Sequence, residues 1–144
     1  MRRSKALYKN YVCPICFRQL PECTCPFFPP WSLIMIDEGI QDCVRILNEK
    51  GYTTSGSCEG HYTGKTGANT WICFIMEYED IREAGMPEGF RWIKSKNCIY
   101  HAYKGKLDRP AFDAEKEKTL ATLRGWCEAL PEMRYLFHKK SERR

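Results

Sequence analysis

No apolar run in the sequence approaches the ~20 residues that a bilayer-spanning helix needs, which argues against a helical membrane protein. The opening MRRSKALYKN is basic, but no apolar segment comes after it, so no secretion signal is expected. No internal repeat is present either. What remains is a chain of 144 residues, 43% apolar and 28% charged, the composition of a soluble globular protein. That length suits one domain or a small domain carrying a minidomain, and buries roughly two-thirds of the surface exposed on unfolding.

Charge is unevenly placed. Residues 1–30 carry +4 and residues 134–144 another +4, which leaves −3 of the total +5 on residues 31–133. Basic ends on an acidic body suit phosphate polyanions, and they are also ordinary solubilising ends. Cysteine is the residue in excess, with nine copies. Without an export signal a reducing, cytoplasmic setting is expected, which favours metal ligation or burial over disulfides.

Four of the cysteines lie in CPICFRQLPECTC, as Cys13/Cys16 and Cys23/Cys25. A CxxC pair and a tighter CxC pair can close one tetrahedral site of four thiolates, for which Zn²⁺ is the suited ion. Pro14, Pro21 and Pro26 stiffen the turns around the ligands and leave little room for a regular helix or strand. The expected organisation is a basic arm and zinc knuckle over 1–30, an α+β domain over 31–133 and a basic tail over 134–144. Phe27 to Trp31 form an apolar, proline-bounded linker that would pack the knuckle onto the body.

In the body, Ile36, Ile40, Val44 and Leu47 recur at helical spacing, with Asp37 or Glu38 as the expected cap and Gly51 as the stop. Cys43 falls in that stripe and reads as core. Tyr52–Ser55 has strand character, and Trp71–Tyr78 is a near-continuous apolar run, the best central-strand candidate. A helical turn over Asp80–Pro87, strands at Phe90–Lys94 and Cys98–Tyr103, and a helix from Pro110 to Leu130 complete the order. The class is α+β, a small mixed or antiparallel sheet with two main helices, preceded by the four-cysteine zinc knuckle.

Chemistry concentrates between residues 51 and 76. GHYTGKT looks like a phosphate loop, but Gly60 to Gly64 encloses three residues where the Walker pattern needs four. A looser anion cradle of glycine amides with Lys65 and Thr66 stays open, beside a plain glycine-rich hairpin. Cys58 with His61 is the candidate nucleophile and base, with no third orienting residue evident beyond Glu59 or Glu77. A second metal set of two cysteines and two histidines, Cys58, His61, Cys98 and His101, has suitable ligands. Alternation along a strand, however, sends Cys98 and His101 to opposite faces. Otherwise Cys73 and Cys98 read as small buried hydrophobes.

An amphipathic helix, then Gly51-Tyr-Thr-Thr-Ser-Gly-Ser-Cys-Glu-Gly-His61, then an apolar strand resembles short phage and Gram-positive proteins carrying an SCEGH loop. More distantly, residues 36–78 resemble the family of the third protein of the tRNA wybutosine pathway, implicated in S-adenosylmethionine-dependent methylation of a tRNA base. In that family the loop reads Ser-Cys-x-Gly-basic; here Glu59 and His61 stand at the variable and basic places. The resemblance implies a loop at the mouth of a pocket, a nucleotide-like ligand, and a phage or bacterial origin. The leading expectation is a zinc-containing small ligand-binding protein. It would hold a nucleotide or nucleic acid through Ser57, Glu59, Gly60, His61, Lys65 and Thr66. The alternatives are an RNA-modifying enzyme, methyltransferase-like or thiol-dependent with Cys58 and His61, and a zinc-knuckle adaptor for nucleic acid or protein.

Overall fold

The computed structural model describes residues 9–25, 33–64, 67–105 and 107–134. The basic arm before Lys9, the Phe27–Trp31 linker, Lys65, Thr66 and the tail after Arg134 lie outside the described residues. The fold is α+β with antiparallel sheets, as the pattern of elements implies.

A short ladder joins the knuckle to the body. Strand β1 (Tyr11–Val12) pairs antiparallel with β2 (Ile34–Met35), Val12 opposite Ile34. Val12 is fully buried and belongs to the main core, so the knuckle's first strand is anchored where the body packs. A 3-10 turn, Glu38–Ile40, then leads into helix α1 (Gln41–Glu49). Ile40, Cys43, Val44 and Leu47 are its buried face, the stripe expected from spacing. The cap is different. Asp37 precedes the 3-10 turn and gives it no side-chain hydrogen bond, because its carboxylate is turned toward the 59–61 loop. Gly51 ends the helix with φ 99°, a conformation that favours glycine, and the Tyr52 amide donates to Leu47 O at 2.9 Å.

Strand β3 (Thr54–Cys58) begins later than expected and runs through Ser57 and Cys58, which therefore end a strand rather than sit in the loop. Strand β4 (Asn69–Phe74) is central, as expected, but is not buried on both faces. Thr70, Ile72 and Phe74 point into the core, while Asn69, Trp71 and Cys73 are half-buried on the other face. The chain leaves the sheet after Phe74, with Ile75 exposed, and Tyr78 precedes helix α2 (Glu79–Ala84) while its hydroxyl takes the Thr53 amide at 3.0 Å. Strands β5 (Arg91–Ile93) and β6 (Cys98–Ala102) come next, joined through Lys94–Lys96 and Asn97, which adopts φ 52°. The sheet order is β3-β4-β6-β5.

Helix α3 (Arg109–Ala129) starts on Asp108, whose carboxylate accepts the Ala111 amide at 2.8 Å, with Pro110 in the first turn. Phe112, Thr119, Leu123 and Cys127 are its buried line. At its far end Lys50 donates to the carbonyls of Cys127, Glu128 and Leu130, satisfying helix-end acceptors with a cation. Tyr52 donates to Pro131 O at 2.6 Å beside it. These bonds tie α3 to the end of α1, and both pack on one face of the sheet through a shared core.

Candidate functional site

The four knuckle cysteines converge. One sulfur from each of Cys13, Cys16, Cys23 and Cys25 lies within 4.8 Å of the others, with Cys13 fully buried and the rest half-buried. The turn is built for anionic sulfur: the Ile15 amide donates to Cys13 Sγ at 3.3 Å and the Cys25 amide to Cys23 Sγ at 3.4 Å. Phe17 takes φ 59° so that its amide can close back on Cys13 O at 2.9 Å. Burial raises the Cys13 thiol, but the amides of Cys16 and Ile15 and the thiols of Cys23 and Cys16 together outweigh it, leaving the Cys13 thiol below its ordinary value. Burial and then the crowding of Cys16, Cys13 and Cys23 push Cys25 up to about 12. Four thiolates this close repel one another until a cation sits between them, so the donor set fits a metal ion.

The loop after β3 folds back on the start of α1. Asp37 Oδ2 accepts the Glu59 amide at 3.1 Å and lies 3.1 Å from His61 Nε2. Cys58 Sγ lies within 4.8 Å of the ligand atoms of Asp37 and His61, and the Gly60 amide donates to Cys58 Sγ at 3.4 Å. Burial first, then the charge of Asp37, holds the Cys58 thiol above its ordinary value. A nucleophilic thiol needs the reverse, a lowered pKa with a base as neighbour. Here the third residue beside the pair is Asp37, not Glu59 or Glu77, with a carboxylate oxygen within 4.8 Å of the thiol.

Glu59 is occupied by the fold. One carboxylate oxygen accepts the Gly39 amide at 2.6 Å and the other takes Lys116 Nζ at 2.7 Å, a largely buried strut from the loop to α3. A Cβ on Gly39 would stand 2.5 Å from Glu59 Oε1, so a side chain there would displace the Glu59 carboxylate. Gly60, at φ 95°, also has a structural reason: a Cβ there would come within 3.2 Å of Asn69 O and Tyr103 Cε2. Beneath it, the buried Thr70 hydroxyl donates to Glu59 O at 2.8 Å and shares a 2.7 Å bond with Tyr103. The cleft above, about 550 Å³, is lined by Lys9, Asn10, Asp37, Glu38, Gly39, Glu59, His61 and Lys116. It unites Glu59 and His61 but not Ser57, which lines a separate groove with Phe17, Ile34 and Ile36. Its carboxylates match or exceed its cations, a poor lining for phosphate among the described residues. Cys98 and His101 join neither metal-type cluster among the described residues. Cys98 faces Cys73 across the ladder, and His101 Nδ1 lies 2.9 Å from Gly89 O with its ring against Phe90 and Tyr103.

The outward face of the sheet carries groups that a loop-centred reading overlooks. Trp71, Cys73, Arg91, Ile93, Lys96, Cys98 and Tyr100 line a trough of about 360 Å³. The Trp71 ring lies over Gly56, where a Cβ would touch it at 3.4 Å. The Arg91 guanidinium sits 5.6 Å from the Tyr100 ring centre, and the Tyr100 hydroxyl donates to Asn69 Oδ1 at 2.6 Å. Register puts Cys58, Trp71, Tyr100 and Arg91 in one row across the four strands. The apolar look of WICFIM hides this face, since Trp71 and Cys73 read as core until the strand's alternation is known. No family model, curated protein or solved structure matches the chain.

Proposed function

We propose that this protein binds single-stranded RNA, or a nucleotide as its smallest unit, on the outward face of the four-stranded sheet, with a structural Zn²⁺ in the four-cysteine knuckle. One observation carries the reading: the trough combines two half-buried aromatic rings, Trp71 and Tyr100, with Arg91 and Lys96, and no carboxylate lines it among the described residues. Unpaired bases stack on aromatic side chains and their phosphates take cations, and a sheet surface is a common platform for both. The row from Arg91 through Tyr100 to Trp71 crosses two strand spacings, roughly 10 Å, enough for about two nucleotides. Zinc suits the knuckle because four thiolates satisfy a soft-tolerant tetrahedral ion and leave no open position, the pattern of a structural site.

Fluorescence anisotropy with a labelled single-stranded RNA, its duplex and competing mononucleotides tests this. Single strands should bind best, with affinity falling as salt rises. Absence of binding to any single-stranded oligonucleotide at low salt would end the proposal.

A further inference from the structure

We propose that Asp37, Cys58 and His61 form a second metal centre, separate from the knuckle, with a fourth position open to the cleft. The site needs no rearrangement of the chain to bring its donors together. One ligand atom from each residue lies within 4.8 Å of the other two. The 3.1 Å between Asp37 Oδ2 and His61 Nε2 is close to the roughly 3.3 Å edge of a tetrahedron with bonds of about 2.0–2.1 Å. The donors come from two segments that the fold holds in place. Asp37 is fixed by the Glu59 amide, Cys58 ends β3 with its sulfur against the Gly60 amide, and the Gly39–Glu59–Lys116 strut locks the loop.

A sulfur, nitrogen and oxygen set suits a borderline ion such as Zn²⁺, and three protein ligands with one exchangeable position is the arrangement of a reactive rather than a closed site. With a thiolate, a carboxylate and a neutral imidazole, a divalent ion gives a centre of no net charge. Such a centre takes water or an anionic oxygen as its fourth ligand. The carboxylates of the cleft, which make it a poor phosphate cradle when empty of metal, are what a cation-binding corner requires. The centre rests on contacts independent of the sheet-face reading, so either can fail alone.

The test is the metal content of the full chain after saturation with Zn²⁺ and desalting, followed by Co²⁺ addition to the one-zinc protein. Wild type should hold two zinc ions per chain. His61→Ala, a change at a mostly exposed ring, and Cys58→Ala should each hold one. Co²⁺ should give tetrahedral bands with a sulfur-to-cobalt charge-transfer band in wild type, lost in both variants. If Cys58→Ala unfolds, His61→Ala and the wild-type cobalt spectrum still decide. One zinc per chain in wild type without a cobalt–sulfur band, or a second ion retained in His61→Ala, would overturn the assignment.

Discussion

Replacing Trp71 with alanine removes the larger stacking platform from the trough while leaving the core face of β4, Thr70, Ile72 and Phe74, untouched. Base–aromatic stacking contributes about 1–3 kcal/mol per base, so Trp71→Ala should weaken single-stranded RNA binding by about 5- to 150-fold. Trp71→Phe, which keeps a ring, should recover most of that. The cations give a second, independent magnitude. Each phosphate neutralised on a single strand adds about −0.7 to the slope of log affinity against log salt, so Arg91 and Lys96 together account for about −1.4. Arg91→Ala should make the slope shallower by about 0.7 and also release the ring of Tyr100, over which the guanidinium now sits. Anisotropy titrations at several salt concentrations read both quantities, with melting curves confirming that each variant is folded. Folded Trp71→Ala binding within about twofold of wild type, together with an Arg91→Ala slope equal to wild type, would rule out base stacking on Trp71 and phosphate contact at Arg91.

Four other outcomes are expected from the loop, the core and the knuckle. Gly60→Ala adds a side chain at φ 95° against the Asn69 carbonyl and Tyr103, and should lower unfolding free energy by about 2–4 kcal/mol in urea titration. In a double-mutant cycle, Glu59→Gln and Lys116→Met should show coupling of about 1–3 kcal/mol, since both side chains are less than a fifth exposed; additivity would mean the strut contributes nothing. Burial first, then the charge of Asp80, raises the Tyr52 hydroxyl from 10.0 to about 12, so the neutral form is favoured by folding. That contribution is complete below pH 10 and is lost as pH rises through about 12. Tyr52→Phe should flatten this stretch of an alkaline stability curve. Chelation of the knuckle metal should lower the melting temperature of the whole chain, because Val12 links the knuckle strand to the main core. An unchanged melting temperature after proven metal loss would contradict that link.

The knuckle and the helices were legible because their signals are local. Cysteine spacing brings four sulfurs together, and Pro110, the α3 stripe and Gly51 mark helix limits within a few residues of the limits found. The site was legible only in part, because its decisive contacts are long-range. Asp37 meets a loop 22 to 24 residues away and Lys116 reaches Glu59 across 57 residues, distances over which no periodicity carries information. Arg134, grouped with a basic tail by its sequence neighbours, instead bonds the buried carboxylate of Asp80, 54 residues back. The trough escaped for a different reason. Tryptophan and cysteine are apolar by type, so a strand with Trp71 and Cys73 on its outer face resembles one buried on both sides.

Amide and indole NMR shifts of the full zinc-loaded chain on titration with single-stranded RNA locate the bound nucleic acid on the protein surface. Binding on the outward sheet face gives saturable shifts at the Trp71 indole and at Arg91, Lys96 and Tyr100, tapering toward Cys58. Shifts confined to the knuckle, or to the cleft around Asp37 and His61 with the Trp71 indole unmoved, would contradict it.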